Sequence, residues 1–252
     1  MIWSRASARC SVLSLVLCAL APAQGSAEDA GAAPPAKARS ATPDAGTARA
    51  EAAAVDAASL LRAFAGMPGL EARFREEKHI ALLARPLTSE GRLFFTHPGL
   101  LLRRVETPRP SEVIINSERV VLRDASGEQA LDLRARKDLR PFVESLTWIL
   151  AGNQKALDGV YAVTFEPERG KEPWQLTLKP KVEPLSRLIA HIRIRGSGYA
   201  VARIEVTETN GDSTLTTILE ANPRRAFDAT ERAKLFGTGS TTTQAPVARP
   251  KP

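Results

Sequence analysis

The stretch Ile189–Glu220, IAHIRIRGSGYAVARIEVTETNGDSTLTTILE, decides the fold. In it Ile192, Ile194, Ile204 and Val206 alternate with Arg193, Arg195, Arg203 and Glu205. That period of two is the mark of strands with one wet face and one apolar face. Gly196-Ser197-Gly198 and Asn210-Gly211-Asp212 punctuate the run. Asn-Gly is the strongest short hairpin signal, because a type I′ turn needs positive φ at both central positions. The stretch therefore predicts three consecutive antiparallel strands, Ile189–Arg195, Ala200–Glu208 and Ser213–Glu220.

The same reading extends upstream. Strand character recurs in Ala72–Leu83, Ser89–Thr96, Leu100–Val105, Glu112–Asn116, Arg119–Asp124, Gln129–Leu133, Val160–Glu166 and Trp174–Lys179. Turn chemistry separates them at Ser117-Glu118, at 124–127 and at Glu168-Arg169-Gly170. About eleven strands without interleaved helices argue for an antiparallel sheet and against βαβ units. A sheet with one apolar face must be covered or must close. The cover is Asp138–Ala151, DLRPFVESLTWILA, where Phe142, Leu146, Ile149 and Leu150 fall at helical spacing. Pro141 sits in its first turn and Gly152-Asn153 stops it. A short amphipathic helix over Ser59–Met67 and a terminal one over Arg224–Phe236, with Phe227, Leu235 and Phe236 inward, complete the set. The fold class is mainly β with a few helices.

The flanks differ in kind. Residues 1–27 read as a secretory signal, with Arg5 and Arg9 ahead of the apolar run Val12–Ala21 and small-residue cleavage sites ending at Ala23 and Ala27. The run is too short to span a bilayer, which takes about 20 residues. Leu17 stands where a lipoprotein signal places a small residue, so Cys18 is not expected to be lipidated. Cys10 and Cys18 are the only cysteines, so the mature chain is expected to have neither a disulfide nor a cysteine-ligated metal. Residues 28–56 are an Ala/Pro-rich linker and 238–252 a Thr/Pro-rich tail, both too poor in large apolar side chains to offset chain entropy. The folded part is 57–237.

Charge and composition exclude several functions. The net charge is +7 and aromatics make up 5% of the 252 residues. Arg5, Arg9, Arg249 and Lys251 lie in the flanks, and the remaining excess is spread over many strands, so no nucleic-acid partner is expected. His79, His97 and His191 form no HxxxH pair, and no GxSxG elbow or phosphate-binding glycine loop occurs. The expectation is a non-enzyme without cofactor or metal. What remains is an apolar face suited to something greasy, or else a filled core in a purely structural envelope protein.

Ordered motifs carry a family resemblance. They are Phe74, Glu77-Lys78, Leu87, Ser89-x-Gly91-x-Leu93-Phe94-Phe95-x-x-Pro98, then Val113-x-x-x-Ser117-x-x-x-Val121, then Pro141-Phe142 to Leu146. Over about Leu60–Glu220 the chain resembles the LolA-type periplasmic lipoprotein carriers. The resemblance implies an open half-barrel of about eleven strands with a helical lid over a hydrophobic cavity. It implies a soluble monomer in the periplasm that takes acylated lipoprotein or lipid cargo from an inner-membrane ABC transporter to an outer-membrane receptor. The cavity candidates are Phe74, Leu93, Phe95, Leu101, Phe142, Leu146, Ile149 and Leu150. Where the family keeps a lid-latching arginine before the proline, this chain has His97, with Arg103 and Arg104 nearby as substitutes. The Glu-Lys-His run and the late Gly211-Asp212 hairpin bring the chain closer to a LolA-related branch associated with aryl-polyene pigment and acyltransferase gene sets. In that alternative it is a carrier or accessory protein for a pigment lipid. An acyl-processing accessory enzyme is the competing class and requires a Ser/His/Asp constellation around His97 or His191.

Overall fold

In the computed structural model, residues 55–136 and 140–237 are described. The expected signal, nearly all of the linker, the tail, and Asp138 and Leu139 of the expected lid helix lie outside them, as does the side chain of Phe142. Helix α1 spans Ala57–Ala65 and is followed by β1 (Gly69–His79), β2 (Leu87–Thr96), β3 (Leu100–Thr107), β4 (Ser111–Ile115), β5 (Arg119–Asp124) and β6 (Gly127–Asp132). Two helices follow, α2 (Arg140–Leu150) and α3 (Gln154–Val160), and then β7 (Tyr161–Glu166) and β8 (Trp174–Pro180). After the single turn α4 (Leu185–Leu188) come β9 (Ile189–Ser197), β10 (Ala200–Glu208), β11 (Ser213–Asn222) and α5 (Ala229–Phe236).

All strands among the described residues join one 11-stranded sheet in the order β6-β5-β4-β3-β2-β1-β11-β10-β9-β8-β7, every neighbour antiparallel. Two meanders thus meet at the β1–β11 seam, and β6 and β7 form the two edges of an open half-barrel. The connection between those edges runs through α2 and α3.

Most strand limits agree with the sequence reading, and β5 and β10 agree at both ends. The first strand is a correction. It ends at His79 and does not reach Leu83, because the backbone turns there and leaves Leu82 94% exposed. Helices α3 and α4 are additions. The first is seven residues long and the second four, too short for a 3.6-residue apolar pattern to register.

Register assigns the faces. Ala72, Phe74 and Glu76 on β1 stand opposite Leu93, Gly91 and Ser89 on β2, and Phe95 stands opposite Leu101 on β3. Together with Ile204 and Ile194, and with Leu176 and Phe165 at the far edge, these form the inner face. Helices α1–α3 lie on that side: the hydroxyls of Ser145 on α2 and Tyr161 on β7 are hydrogen-bonded, and α2 packs on α1 and α3. Helix α5 takes the opposite, outer face, where Phe236 closes a cluster of Phe94, Leu102, Ile114 and Val121. The terminal helix begins at Ala229 and not at Arg224, and Phe227, Leu235 and Phe236 turn toward the core as expected, from the outer side of the sheet.

Two glycines permit close approaches. A Cβ at Gly91 would collide with the Arg104 carbonyl, at a point where the β2–β3 register shifts. One at Gly196 would strike the Trp174 ring, whose Nε1 donates to the Gly198 carbonyl at 2.8 Å.

Candidate functional site

The inner face is apolar along most rows. Phe74, Phe95 and Leu101 are buried in its centre and on its β3 side, with Ile115 and Val120 beyond them. Trp174, Leu176 and Leu178 are fully buried toward the β7 edge, with Phe165 stacked on Trp174 at 6.1 Å. On the lid side, Val143, Ile149 and Leu150 of α2 are buried, as are Leu60, Leu61 and Phe64 of α1. Of the sequence candidates, Phe74, Phe95, Leu101, Ile149 and Leu150 are thus buried, whereas Leu93 and Leu146 are only half-buried.

That half-burial has a pattern. Leu93 on β2, Ile218 on β11 and Ile204 on β10 all lie on the inner face and are half-buried, whereas Ala72 opposite Leu93, Phe74 opposite Ile218 and Ile194 opposite Ile204 are buried. The middle of the sheet therefore carries an apolar lining that the helices leave partly open.

The inner face also holds charge, which sequence reading missed. Glu76 and Arg103 meet at 2.9 Å with their side chains 5% and 11% exposed. The Arg103 guanidinium lies over the Phe74 ring at 4.8 Å, and Glu76 also accepts from Thr216 Oγ1 at 3.4 Å. Lys78 reaches Glu208 at 3.9 Å. Burial pushes the Glu208 carboxyl above its ordinary range, and the Lys78 ammonium partly offsets this. Arg103 crosses from β3 to β1 above Gly91, which has no side chain to obstruct it. The hydroxyls of Ser111 and Thr214, on the same face, are buried without a hydrogen-bond partner.

His97 follows β2 on the inner side. Its ring meets Phe95 edge-on at 5.2 Å, its Nε2 is buried without a hydrogen-bond partner, and its carbonyl accepts from Arg232 of α5 at 3.0 Å. Of the two arginines named as substitutes, Arg103 is engaged with Glu76, and Arg104 points to the outer face, where its Nε meets Glu112 at 2.7 Å. Successive residues of a strand face opposite ways, so the adjacent pair cannot share a role at the lid. Among the described residues α2 is tied to the sheet by the Ser145–Tyr161 hydrogen bond, and burial pushes the Tyr161 phenol up to about 12, so it stays neutral and available for that bond.

The structure does not bring the histidines together. His97 is on the inner side and His191 on the outer face beside Arg193, where burial, reinforced by that arginine's charge, lowers the His191 pKa. Among the described residues no cluster of potential metal ligands occurs, and no helix is long and apolar enough to cross a membrane.

No curated protein matches the chain by sequence. Among solved structures it is similar to a LolA superfamily protein from Nitrosomonas europaea, at 10% identity and a TM-score of 0.39, over 71% of this chain and 97% of that one. A putative outer membrane lipoprotein-sorting protein domain from Vibrio parahaemolyticus gives 13% identity and a TM-score of 0.43, over 71% and 95%. LprF from Mycobacterium bovis gives 10% identity and a TM-score of 0.30, over 67% and 97%. The family model described as outer membrane lipoprotein carrier protein LolA-like matches residues 49–237, three-quarters of the chain and all eleven strands, and the chain belongs to that family.

Proposed function

We propose that the protein is a periplasmic carrier that takes acyl chains of lipoproteins or lipids onto the inner face of the half-barrel, beneath α2, and ferries them from the inner to the outer membrane. The observation that carries this reading is the half-buried, diagonal apolar row Leu93, Ile218 and Ile204 on the inner face. A filled core would bury that row along with its neighbours. An acyl chain laid there gains about 0.8 kcal/mol per buried CH₂, so a long chain offsets the entropy of its own ordering. Family membership supports the carrier class. The expected donor is an inner-membrane ABC transporter and the expected acceptor an outer-membrane lipoprotein receptor. Phe74, Leu93, Phe95, Leu101, Phe142, Leu146, Ile149 and Leu150 line the cargo site in this reading. His97 is the lid latch, its unpartnered Nε2 free to take a hydrogen bond when the lid shifts.

The test is displacement of a fluorescent fatty acid, together with native mass spectrometry of the purified protein. A co-purifying lipid and saturable probe binding are expected. Leu146→Asp combined with Ile149→Asp should abolish binding, because two carboxylates would be set against the apolar lining. Unchanged probe binding in that variant would remove α2 from the site, and a bare mass with no probe binding would refute the carrier reading.

A further inference from the structure

The outer face of the sheet treats its arginines unequally. Most are matched by a carboxylate: Arg73 by Glu220, Arg75 by Glu77, Arg92 by Glu106, Arg104 by Glu112 and Arg123 by Glu128, at 2.7–3.6 Å. Arg193 meets Glu205 at 3.8 Å. Arg195 and Arg203 break the pattern. They stand directly opposite each other in the β9–β10 register, as Arg73, Arg92 and Arg104 do across β1, β2 and β3, but without a carboxylate on either. Arg195 donates from Nε to the neutral Gln175 Oε1 at 2.7 Å, and Arg203 is exposed with no carboxylate on it. The cross-strand row runs Glu166, Gln175, Arg195, Arg203, Thr217, Arg75 and Glu90, so its two acidic residues stand at the far ends and neither lies beside Arg195 or Arg203. Like charges directly opposite on a sheet are destabilising, so this face gives up stability to keep them there.

A cavity of about 240 Å³ opens over the same place. It is lined by Arg193, Arg195 and Arg203, with His79 and Ser213 alongside and Glu205 as its one carboxylate. A guanidinium is a planar fork whose N–H pairs match the oxygen pairs of a phosphoryl group. The Ser213 hydroxyl supplies a further donor. The lowered pKa of neighbouring His191, to which the Arg193 charge contributes, agrees with a positive field here.

The geometry points to an anion site in which Arg195 and Arg203 hold a phosphate oxyanion on the outer face of β9 and β10. The oxyanion belongs either to a free phosphate or to the headgroup of an anionic phospholipid. It supplies a counter-charge to two arginines on which no carboxylate sits, and a ligand of the folded state stabilises that state by mass action. The site lies on the face opposite the acyl-chain lining and stands or falls independently of the carrier reading.

The test uses purified protein at low ionic strength with two probes. Inorganic phosphate is titrated by calorimetry and thermal melting, and vesicles of phosphatidylglycerol or of phosphatidylcholine are used for co-sedimentation. Arg203→Gln is the diagnostic variant. It should raise Tm in phosphate-free buffer by relieving the Arg195 repulsion, and weaken anion binding by about tenfold or more. Arg92→Gln, on the same face but removed from this row, makes the same change in net charge and should bind like the parent. Saturable phosphate binding lost in Arg203→Gln supports the site with a free anion as its ligand. Binding to phosphatidylglycerol vesicles alone, lost in the same variant, supports it with the lipid headgroup as ligand. Absence of binding to both probes, or equal behaviour of Arg203→Gln and Arg92→Gln, overturns the proposal.

Discussion

The two faces of this sheet carry the same ingredients in different states. Each has apolar rows, ion pairs and a helix laid across it. On the outer face the apolar row Phe94, Leu102, Ile114 and Val121 is sealed by Phe236 of α5. That helix is fastened at both ends. Asp228 and Glu231 form a capping box at its start, and Arg225 links Glu231 to Glu71 of β1. Arg232 ties it to the His97 carbonyl, and Arg123 donates to the Gly237 carbonyl at 3.1 Å. On the inner face, α2 is tied to the sheet by the Ser145–Tyr161 hydroxyl pair, and the apolar row of that face is half open. In the proposed carrier reading this contrast has a purpose: a cover that must give way to cargo is better held by apolar contact, which has no directional preference, than by many directional bonds.

Ion pairs give the sharpest contrast between the faces. Glu76→Gln on the inner face should destabilise by about 3–5 kcal/mol, because it leaves the Arg103 guanidinium buried beside a neutral amide. Glu112→Gln on the outer face, where the partners are about a third exposed, should cost under about 1 kcal/mol. Replacing both Glu76 and Arg103 by apolar residues of similar volume should recover most of the loss. Urea denaturation of the four proteins checks this. Equal costs for the two single variants would mean that the inner face is as wet as the outer.

Phe236→Ala tests the sealed side. Truncating a buried phenylalanine should cost about 3–5 kcal/mol, seen as a large drop in Tm. Fatty-acid affinity, measured well below the transition, should be unchanged, since the cavity it leaves is on the face away from the lining. Loss of affinity in the folded variant would show that the two faces are coupled through the sheet.

How much of this was legible follows from which interactions are local. Strands β5 and β10 could be delimited because alternation and flanking turn residues coincide at Arg119–Asp124 and Ala200–Glu208. Leu82 and Leu83 misled because an apolar pair after a strand looks like its continuation, and only the hairpin geometry exposes it. The apolar candidates Phe74, Phe95 and Leu101 follow from period two once one face is assigned. The Glu76–Arg103 pair does not, because it skips β2 and depends on the register of three strands and on a glycine between them. The opposed Arg195 and Arg203 were both recognised as wet, but their adjacency is a property of the β9–β10 register. The side of the sheet that α5 takes was likewise invisible, since Phe94 and Phe95 offer an apolar row on each face.

The lid tie is the next smaller effect. Tyr161→Phe removes one hydrogen bond to α2 and leaves Ser145 bonded to the Pro141 carbonyl, so the cost should be about 1 kcal/mol. The same loss biases the lid toward opening, and the uptake rate of a fluorescent fatty acid should rise about fivefold. Stopped-flow mixing reads that rate. An unchanged rate with lowered stability would make the tie a structural bond only.

The smallest effect concerns His191 on the outer face. Its surroundings are Lys179 on β8, Arg193 on its own strand, and Glu205 and Thr207 on β10. Burial and the Arg193 charge lower its pKa below 6.5, outweighing the attraction of Glu205. In the folded protein the ring therefore takes up its proton at lower pH than in the unfolded chain. As pH falls through about 6.5, the unfolded state binds more protons and stability drops, while above that value the contribution is intact. Carboxylates held low act in a separate, more acidic window: Glu168, which accepts from the Ser197 hydroxyl and the Gly198 N–H, stabilises until pH falls through its own lowered value. His191→Gln should thus flatten the Tm profile between about pH 7.5 and about pH 5.5 and leave the decline below about pH 4 in place. An unaltered profile in the upper window would show that the ring does not feel the basic row beside it, and would weaken the contrast between this end of the outer face and the carboxylate-matched remainder.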